Sequence, residues 1–243
     1  MRRIVITALA ICAVHVLFAQ DTTTTVVKRT TPAATNTGGY DHLMIQLGLT
    51  SWQGKPDSIK TKGLSRSFNI YFMFAFPFKT NPHLSVALGP GIATDHILFD
   101  NTEAHIAEPT ATLTFRNVAD TSHFKKYKIS TAFLEAPVEL RYSANPSDDK
   151  HSFKVALGAK VGTMLSAWDK GKNLVDKNGN AIKSYTVKEK SKRFFNTTRL
   201  SVMGRVGYGK FSLFTSYAIT PVFKEGVAPK VHPLTIGLTL SGL

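Results

Sequence analysis

The chain has 243 residues with one cysteine, and its 30 Lys+Arg against 16 Asp+Glu give a formal net charge of +14. This length suits a single domain. The basic residues are scattered among strand ends and loops without a recognised nucleic-acid motif, so we expect no nucleic-acid partner. Cys12 lies in the amino-terminal apolar stretch, so the rest of the chain has no disulfide, thiolate metal site or cysteine nucleophile.

The amino-terminal residues carry signals for export and flexibility. Residues 1–19 join two arginines to an apolar stretch that ends at Ala19, which predicts a cleaved secretory signal peptide. The alternative, a short membrane anchor, lacks the length and the flanking stop signal. Residues 20–39 are rich in Thr with Pro and Gly, which predicts a flexible leader. Residues 40–243 then form one domain, and they contain no apolar run long enough for a spanning helix.

Eight segments from residue 40 onward alternate apolar and polar residues with a period of two, which predicts β-strands. They are residues 40–52, 64–78, 83–95, 128–142, 151–165, 195–208, 210–220 and 232–243. Their connections alternate long and short, beginning and ending with a long one. The last-but-one long connection, residues 166–194, contains Asn178-Gly179, a hairpin signal.

The two faces of these strands differ consistently. One face is apolar, with six large residues in a row in residues 64–78, and the other mixes small residues with charges. A soluble barrel would bury those charges in a dry interior at high cost, whereas a membrane barrel places them in a polar lumen. The sequence therefore predicts an all-β, eight-stranded antiparallel up-and-down transmembrane β-barrel with short periplasmic turns and long external loops.

The interior of such a barrel is just wide enough for its side chains to fill. We therefore expect a network of ion pairs in the lumen rather than a pore. The predicted members are Glu135, Glu139, Arg141, Lys154, Lys160, Arg199 and Arg205. Since the bases outnumber the acids in this set, a small passive, anion-preferring channel is the alternative.

The segment FLEAPVELRY at residues 133–142 carries a family resemblance. With ALGAKVG at residues 156–162, FTSYAITPVF at residues 214–223 and the terminal HPLTIGLTLSGL, it resembles the PorT-like outer-membrane β-barrel family of Bacteroidota. The resemblance implies a barrel in the outer membrane. Most members have no assigned activity, and the branch that gives the family its name is linked to protein secretion.

The sequence favours no catalytic or metal chemistry. No histidine has a spacing to serine or to a carboxylate that indicates a nucleophile and its base, so a lipid A-modifying enzyme is a less favoured alternative. The spacing of His96, Glu103, His105 and Glu108 is unspecific for a metal. We therefore predict no catalytic residue, no metal and no cofactor.

The connection at residues 166–194 is strongly basic. It invites contact with the anionic lipopolysaccharide surface or with a protein partner, and the alternative is a solvated loop. The candidate contact residues are Lys170, Lys172, Lys177, Lys183, Lys188, Lys190, Lys192 and Arg193. The sequence thus predicts a non-enzymatic outer-membrane protein with a structural, adhesion or secretion-accessory role, in contact with outer-membrane lipid.

Overall fold

A computed structural model describes residues 43–242, except the side chain of Asp149. The predicted signal peptide and leader lie outside the described residues. The strands are β1 (Leu43–Gln53), β2 (Arg66–Phe72), β3 (Phe74–Pro77), β4 (Leu84–Leu88), β5 (Gly91–Phe99), β6 (Thr102–Glu103), β7 (Arg116–Asn117), β8 (His123–Ser143), β9 (Phe153–Val175), β10 (Ala181–Lys190), β11 (Thr198–Tyr208), β12 (Phe211–Ala218) and β13 (His232–Ser241). Between residues 43 and 242, no helix is long and apolar enough to cross a membrane.

The described strands pair antiparallel and their pairings form a ring. The order runs from β1 through β2, β5, β8, β9, β11, β12 and β13, and β13 pairs with β1 again. Neighbouring ring strands that follow closely in the chain are joined by tight turns, such as the turn from β11 to β12 at Gly209. Gly209 has a φ of 57°, a left-handed conformation that glycine adopts without steric cost.

Two of the predicted strands are interrupted. Residues 64–78 divide into β2 and β3, and residues 83–95 divide into β4 and β5 at Gly89 and Pro90. Pro90 has no amide hydrogen and so cannot continue the hydrogen-bond ladder. A Cβ on Gly89 would lie 1.7 Å from the carbonyl oxygen of Phe72, so only glycine allows the two backbones to approach this closely. Beyond the break, β3 pairs with β4, and β4 pairs with β8.

The faces of the ring strands point as the sequence predicts. On β2, Tyr71 is fully buried, whereas Phe72 beside it is 56% exposed. The outward apolar side chains together form the apolar band. The band includes Leu47, Leu49, Phe72, Phe74, Leu88, Ile92, Leu134, Val138, Leu140, Leu157, Val161, Leu165, Val202, Val206, Leu213, Ile236 and Leu238. Exposed aromatic residues border it beside the short turns, at Phe76, Phe78, Tyr142, Phe153, Tyr208 and Phe211.

The connection at residues 166–194, predicted as a long loop with a hairpin signal, is mostly β-strand. Strand β9 continues for 23 residues to Val175, and β10 returns alongside it after a turn. The hairpin signal at Asn178-Gly179 is confirmed, with a φ of 85° at Gly179. Strand β8 also starts earlier than predicted, at His123, and its amino-terminal part, residues 123–132, pairs with residues 166–175 of β9. Residues 123–132, 166–175 and 181–190 thus form three neighbouring strand segments of the sheet beyond the apolar band, here called the hairpin extension.

The long connections fold over their end of the ring around an apolar cluster, here called the aromatic cap. Its buried members are Trp52, Ile59, Ile97, Phe99, Ala104, Ile106, Leu113, Tyr127, Ile129, Phe133, Met164, Ala167, Phe194, Phe195, Phe223 and Val231. The ring of Trp52 lies edge-on to those of Phe99 and Phe223, with centroids 5.5 Å apart in each case. Trp52, at the end of β1, is therefore a core residue of the aromatic cap.

Candidate functional site

Inside the ring, the first group of charged side chains gathers around Glu135 of β8. Nε of Arg199 donates to Oε1 of this carboxylate at 2.8 Å, and the Tyr71 hydroxyl donates to Oε2 at 2.7 Å. Nζ of Lys160 lies 3.7 Å from Oε2. Arg199 also pairs with Asp95, and its guanidinium lies 3.9 Å from the centre of the Phe133 ring. Two acids thus face two bases in this first group.

Small residues on the strands between them make this contact possible. Glu135 and Arg199 are both paired with Gly162 of β9, so they lie two strands apart, roughly 9.5 Å between backbones. A Cβ on Gly162 would lie 2.8 Å from Cγ of Glu135. On its other side Glu135 is paired with Gly91 of β5. The long side chains therefore reach one another over glycine.

The second group lies nearer the short turns around Glu139. Nε of Arg141 donates to Oε2 of Glu139 at 2.7 Å, and Nη2 of Arg205 donates to the same oxygen at 2.9 Å. Arg141 and Arg205 flank Ala156 of β9, while Glu139 is paired with Ala87 and Gly158. In both groups, long charged side chains on the inner face lie beside small residues on the neighbouring strands, which leave room for them to meet.

The remaining predicted member, Lys154, is half-buried on the inner face at the short-turn end, opposite Ser143 and Gly207. Elsewhere the described interior contains uncharged polar side chains, as where Nε2 of Gln46 donates to Thr239 at 3.2 Å, and a small apolar cluster around Met44 and Met73. Two cavities of about 20 Å³ border Arg199, each with space for about one water molecule. Side chains therefore fill this part of the interior.

The outward face of the hairpin extension carries rows of lysines, here called the lysine face. Lys128 of β8, Lys170 of β9 and Lys188 of β10 are directly paired across the three strands. The members of the face are Lys126, Lys128, Lys170, Lys172, Lys188 and Lys190. Burial, and then the charges of Lys170, Arg66 and Lys188, lower the pKa of Lys128, which lies beyond the apolar band. The lysine face is thus a dense patch of positive charge.

Sequence reasoning missed two members of this face and added residues that lie elsewhere. Lys126 precedes the predicted strand at residues 128–142 and Lys128 is its first residue, and only their pairing with β9 places them beside the other lysines. The other candidates are Lys177 in the turn, Lys183 over the ring of Tyr185, Lys192 bonded to the carbonyl of Met164, and Arg193 over the ring of Phe194.

In the turn that contains Lys177, hydrogen bonds from the Asn180 side chain and from backbone amides lower the pKa of Asp176.

Among residues 43–242, the ring of His96 contacts a serine hydroxyl, an arrangement that the sequence did not indicate. Nδ1 of His96 lies 2.8 Å from Oγ of Ser130, on the outward side of the ring between β5 and β8. Ser130 is fully buried, so its hydroxyl is closed to a lipid ester in this arrangement. A nucleophile must reach its substrate, and this pair therefore does not form an accessible nucleophile and base.

A cluster of ionisable groups lies on the inner side of the hairpin extension. His105 from the connection after β5, Asp169 of β9 and Glu189 of β10 bring their ligand atoms within 4.8 Å of one another. Glu103 lies 3.7 Å from Nε2 of His105. His105 and Glu103 belong to the unspecific sequence set, whereas His96 and Glu108 are not in this cluster.

Comparison with known proteins assigns the chain to a family. Among curated proteins, none matches the chain. Two solved structures of Ail, the attachment invasion locus protein of Yersinia pestis, are similar at 14% identity and a TM-score of 0.32. One of them is a complex with the heparin analogue sucrose octasulfate, and its match covers 82% of this chain and 95% of Ail. The match to the other structure covers 84% of this chain and 98% of Ail. Residues 20–224 match the family described as outer membrane protein beta-barrel domain, to which the chain belongs.

Proposed function

We propose that the protein is a non-enzymatic, eight-stranded transmembrane barrel whose filled lumen supports an extracellular sheet bound to lipopolysaccharide. The short turns face the periplasm and the long connections face outward, as in bacterial outer-membrane barrels. The observation that carries the proposal is the lysine face, which begins directly beyond the apolar band. A structural role follows from it, and adhesion or secretion-accessory roles would use the same extracellular surface.

The position of the lysine face matches the phosphate layer of the outer leaflet. Lipid tails contact the apolar band, so the next residues along each strand meet the charged headgroups. In the row of Lys128, Lys170 and Lys188, neighbouring strands are about 4.8 Å apart, so three cations span roughly 10 Å. Trp168 lies in the adjacent row with Nζ of Lys188 5.1 Å from its ring, as suits an aromatic residue at the membrane interface.

Lipopolysaccharide binding by matched charge variants tests the proposal. Removing three bases near an anionic surface costs about 1 kcal/mol each, so K128Q/K170Q/K188Q should bind about a hundred-fold more weakly. K79Q/K150Q/K210Q removes the same charge from exposed lysines near the short turns and should bind like the parent. The measurement is titration of refolded protein in micelles with lipopolysaccharide and with its dephosphorylated form. Equal loss in both triple variants would refute the site.

The filled interior separates this proposal from a channel. The charged groups around Glu135 and Glu139 occupy the middle of the ring, and the aromatic cap covers the end with the long connections. Planar-bilayer recordings of the refolded protein should therefore show no steady current. Steady anion-selective current would refute the filled lumen.

The fully buried hydroxyl of Ser130 separates the proposal from lipid A modification. Lipid A from cells with and without the protein should give the same mass spectrum. A new acylation state that is lost in Ser130→Ala would identify an enzyme instead.

A further inference from the structure

We propose that His105, Asp169 and Glu189 bind one divalent transition-metal cation, with Zn²⁺ as the probe, on the inner side of the hairpin extension. The three side chains come from three separate elements, and their ligand atoms already lie within 4.8 Å of one another. One imidazole and two carboxylates are a ligand set that Zn²⁺ accepts. This inference rests on the fold of the extension and not on lipopolysaccharide binding.

The charge balance of the cluster supports a cation there. Asp169 is 2% exposed, and within residues 43–242 neither it nor Glu189 has a lysine or arginine within ion-pair distance. Glu103, also buried, has His105 at 3.7 Å as its ion-pair partner among the described residues. A buried carboxylate is costly without a counter-charge, even when it is hydrogen-bonded. The six lysines of the lysine face lie on the opposite side of the sheet, so they do not compensate this negative cluster.

Hydrogen bonds orient the proposed ligands. The Tyr127 hydroxyl donates to Oδ2 of Asp169 at 2.8 Å, and the backbone amide of Glu189 donates to Oδ1 at 3.1 Å. The amide of Phe124 donates to Oε1 of Glu103 at 2.7 Å. Such outer contacts fix the direction in which a carboxylate presents its free lone pairs. Each oxygen of Asp169 accepts one hydrogen bond from these donors, and a carboxylate oxygen has a second lone pair for a metal.

A bound cation would fasten the connection after β5 to the hairpin extension. His105 belongs to the connection, whereas Asp169 and Glu189 are directly paired on β9 and β10. The metal would thus close a link between residues that are 64 positions apart in the chain. Binding should raise the thermal stability of the extension, because a ligand that binds only the folded state stabilises it.

Titration of the full chain in micelles with Zn²⁺, after removal of any affinity tag, tests the proposal. The parent should bind one Zn²⁺ per chain, and His105→Gln and Glu189→Gln should each weaken binding at least about ten-fold. His123→Gln, which replaces a partly exposed histidine near the same end, is the matched control and should leave binding unchanged. Both ligand residues are partly exposed, so their variants should keep the parent's heat-dependent gel mobility.

Three results would overturn the site. The first is no stoichiometric Zn²⁺ binding by the folded parent. The second is binding that His105→Gln and Glu189→Gln both retain, which would place the ion elsewhere. The third is displacement of Zn²⁺ by an equal concentration of Ca²⁺, since a site with an imidazole should disfavour a cation that prefers oxygen ligands alone.

Discussion

Replacing Glu135 by alanine tests whether the lumen network holds the barrel together. The change removes the carboxylate that accepts from Arg199 and Tyr71 and leaves Arg199 and Lys160 with one acid fewer. Breaking a buried ion pair costs about 3–5 kcal/mol. Asp95 still pairs with Arg199, so we expect the lower end, about 3 kcal/mol. With a urea slope of about 2–3 kcal/mol per molar, the unfolding midpoint should fall by about 1–1.5 M.

The assay is urea unfolding in lipid vesicles. The loss of heat-dependent gel mobility reports the unfolded fraction. Glu225→Ala is the matched control, because it breaks an exposed pair with Lys230 and should leave the midpoint unchanged. In a double-mutant cycle, Glu135→Ala and Arg199→Ala together should cost less than the sum of the single changes. A Glu135→Ala midpoint equal to that of the parent would show that the network does not stabilise the fold.

Three further changes probe the band, the packing of the interior and the hairpin turn. Leu238→Arg, in the apolar band, should lower the free energy of unfolding in vesicles by about 2–4 kcal/mol. Ile182→Arg, on the exposed β10, should be nearly neutral. Equal costs of the two changes would contradict the placement of the band. Gly162→Val should cost about 1–3 kcal/mol in urea unfolding, because a Cβ there meets Cγ of Glu135, and a parent-like midpoint would refute that crowding. The fold lowers the pKa of Asp176, so its ionised carboxylate stabilises the turn fully at pH values above the ordinary pKa of aspartate. This stabilisation is lost as the pH falls through the lowered pKa. Amide exchange at the turn should therefore speed up in acid, and Asp176→Asn should abolish this pH dependence.

The directions of the faces were predictable, because in lipid the apolar side of a strand must point outward and the period of two assigns every residue to a side. The breaks at Gly89 and Pro90 were not, since they depend on how closely two backbones approach. The extension of β9 was also missed. The stretch SAWDKGKNLV at residues 166–175 reads as polar, and its strand conformation comes from pairing with β8 on one side and β10 on the other.

The contacts inside the ring depend on register, which no single strand reveals. Glu135 and Arg199 are 64 residues apart, and they meet because both are paired with Gly162. The aromatic cap is less predictable still. Trp52 lies in β1 and Phe223 in the connection between β12 and β13, and neither segment has a local pattern that indicates its partner. The glycines among inward-facing positions were the available signal, since they show where a neighbouring long side chain crosses.

Burial divides the charges of this chain into two groups that should respond differently to salt. The ion pairs around Glu135 and Glu139 are buried in the lumen, where mobile ions screen them little. The lysine face is partly or fully exposed, and at the membrane surface that we propose for it, attraction to phosphates weakens within a Debye length of about 8 Å at physiological salt. Raising the salt concentration should therefore release lipopolysaccharide while the barrel stays folded. Parallel loss of binding and of heat-dependent mobility would mean that the lysines stabilise the fold itself, and the lysine face would then be part of the scaffold.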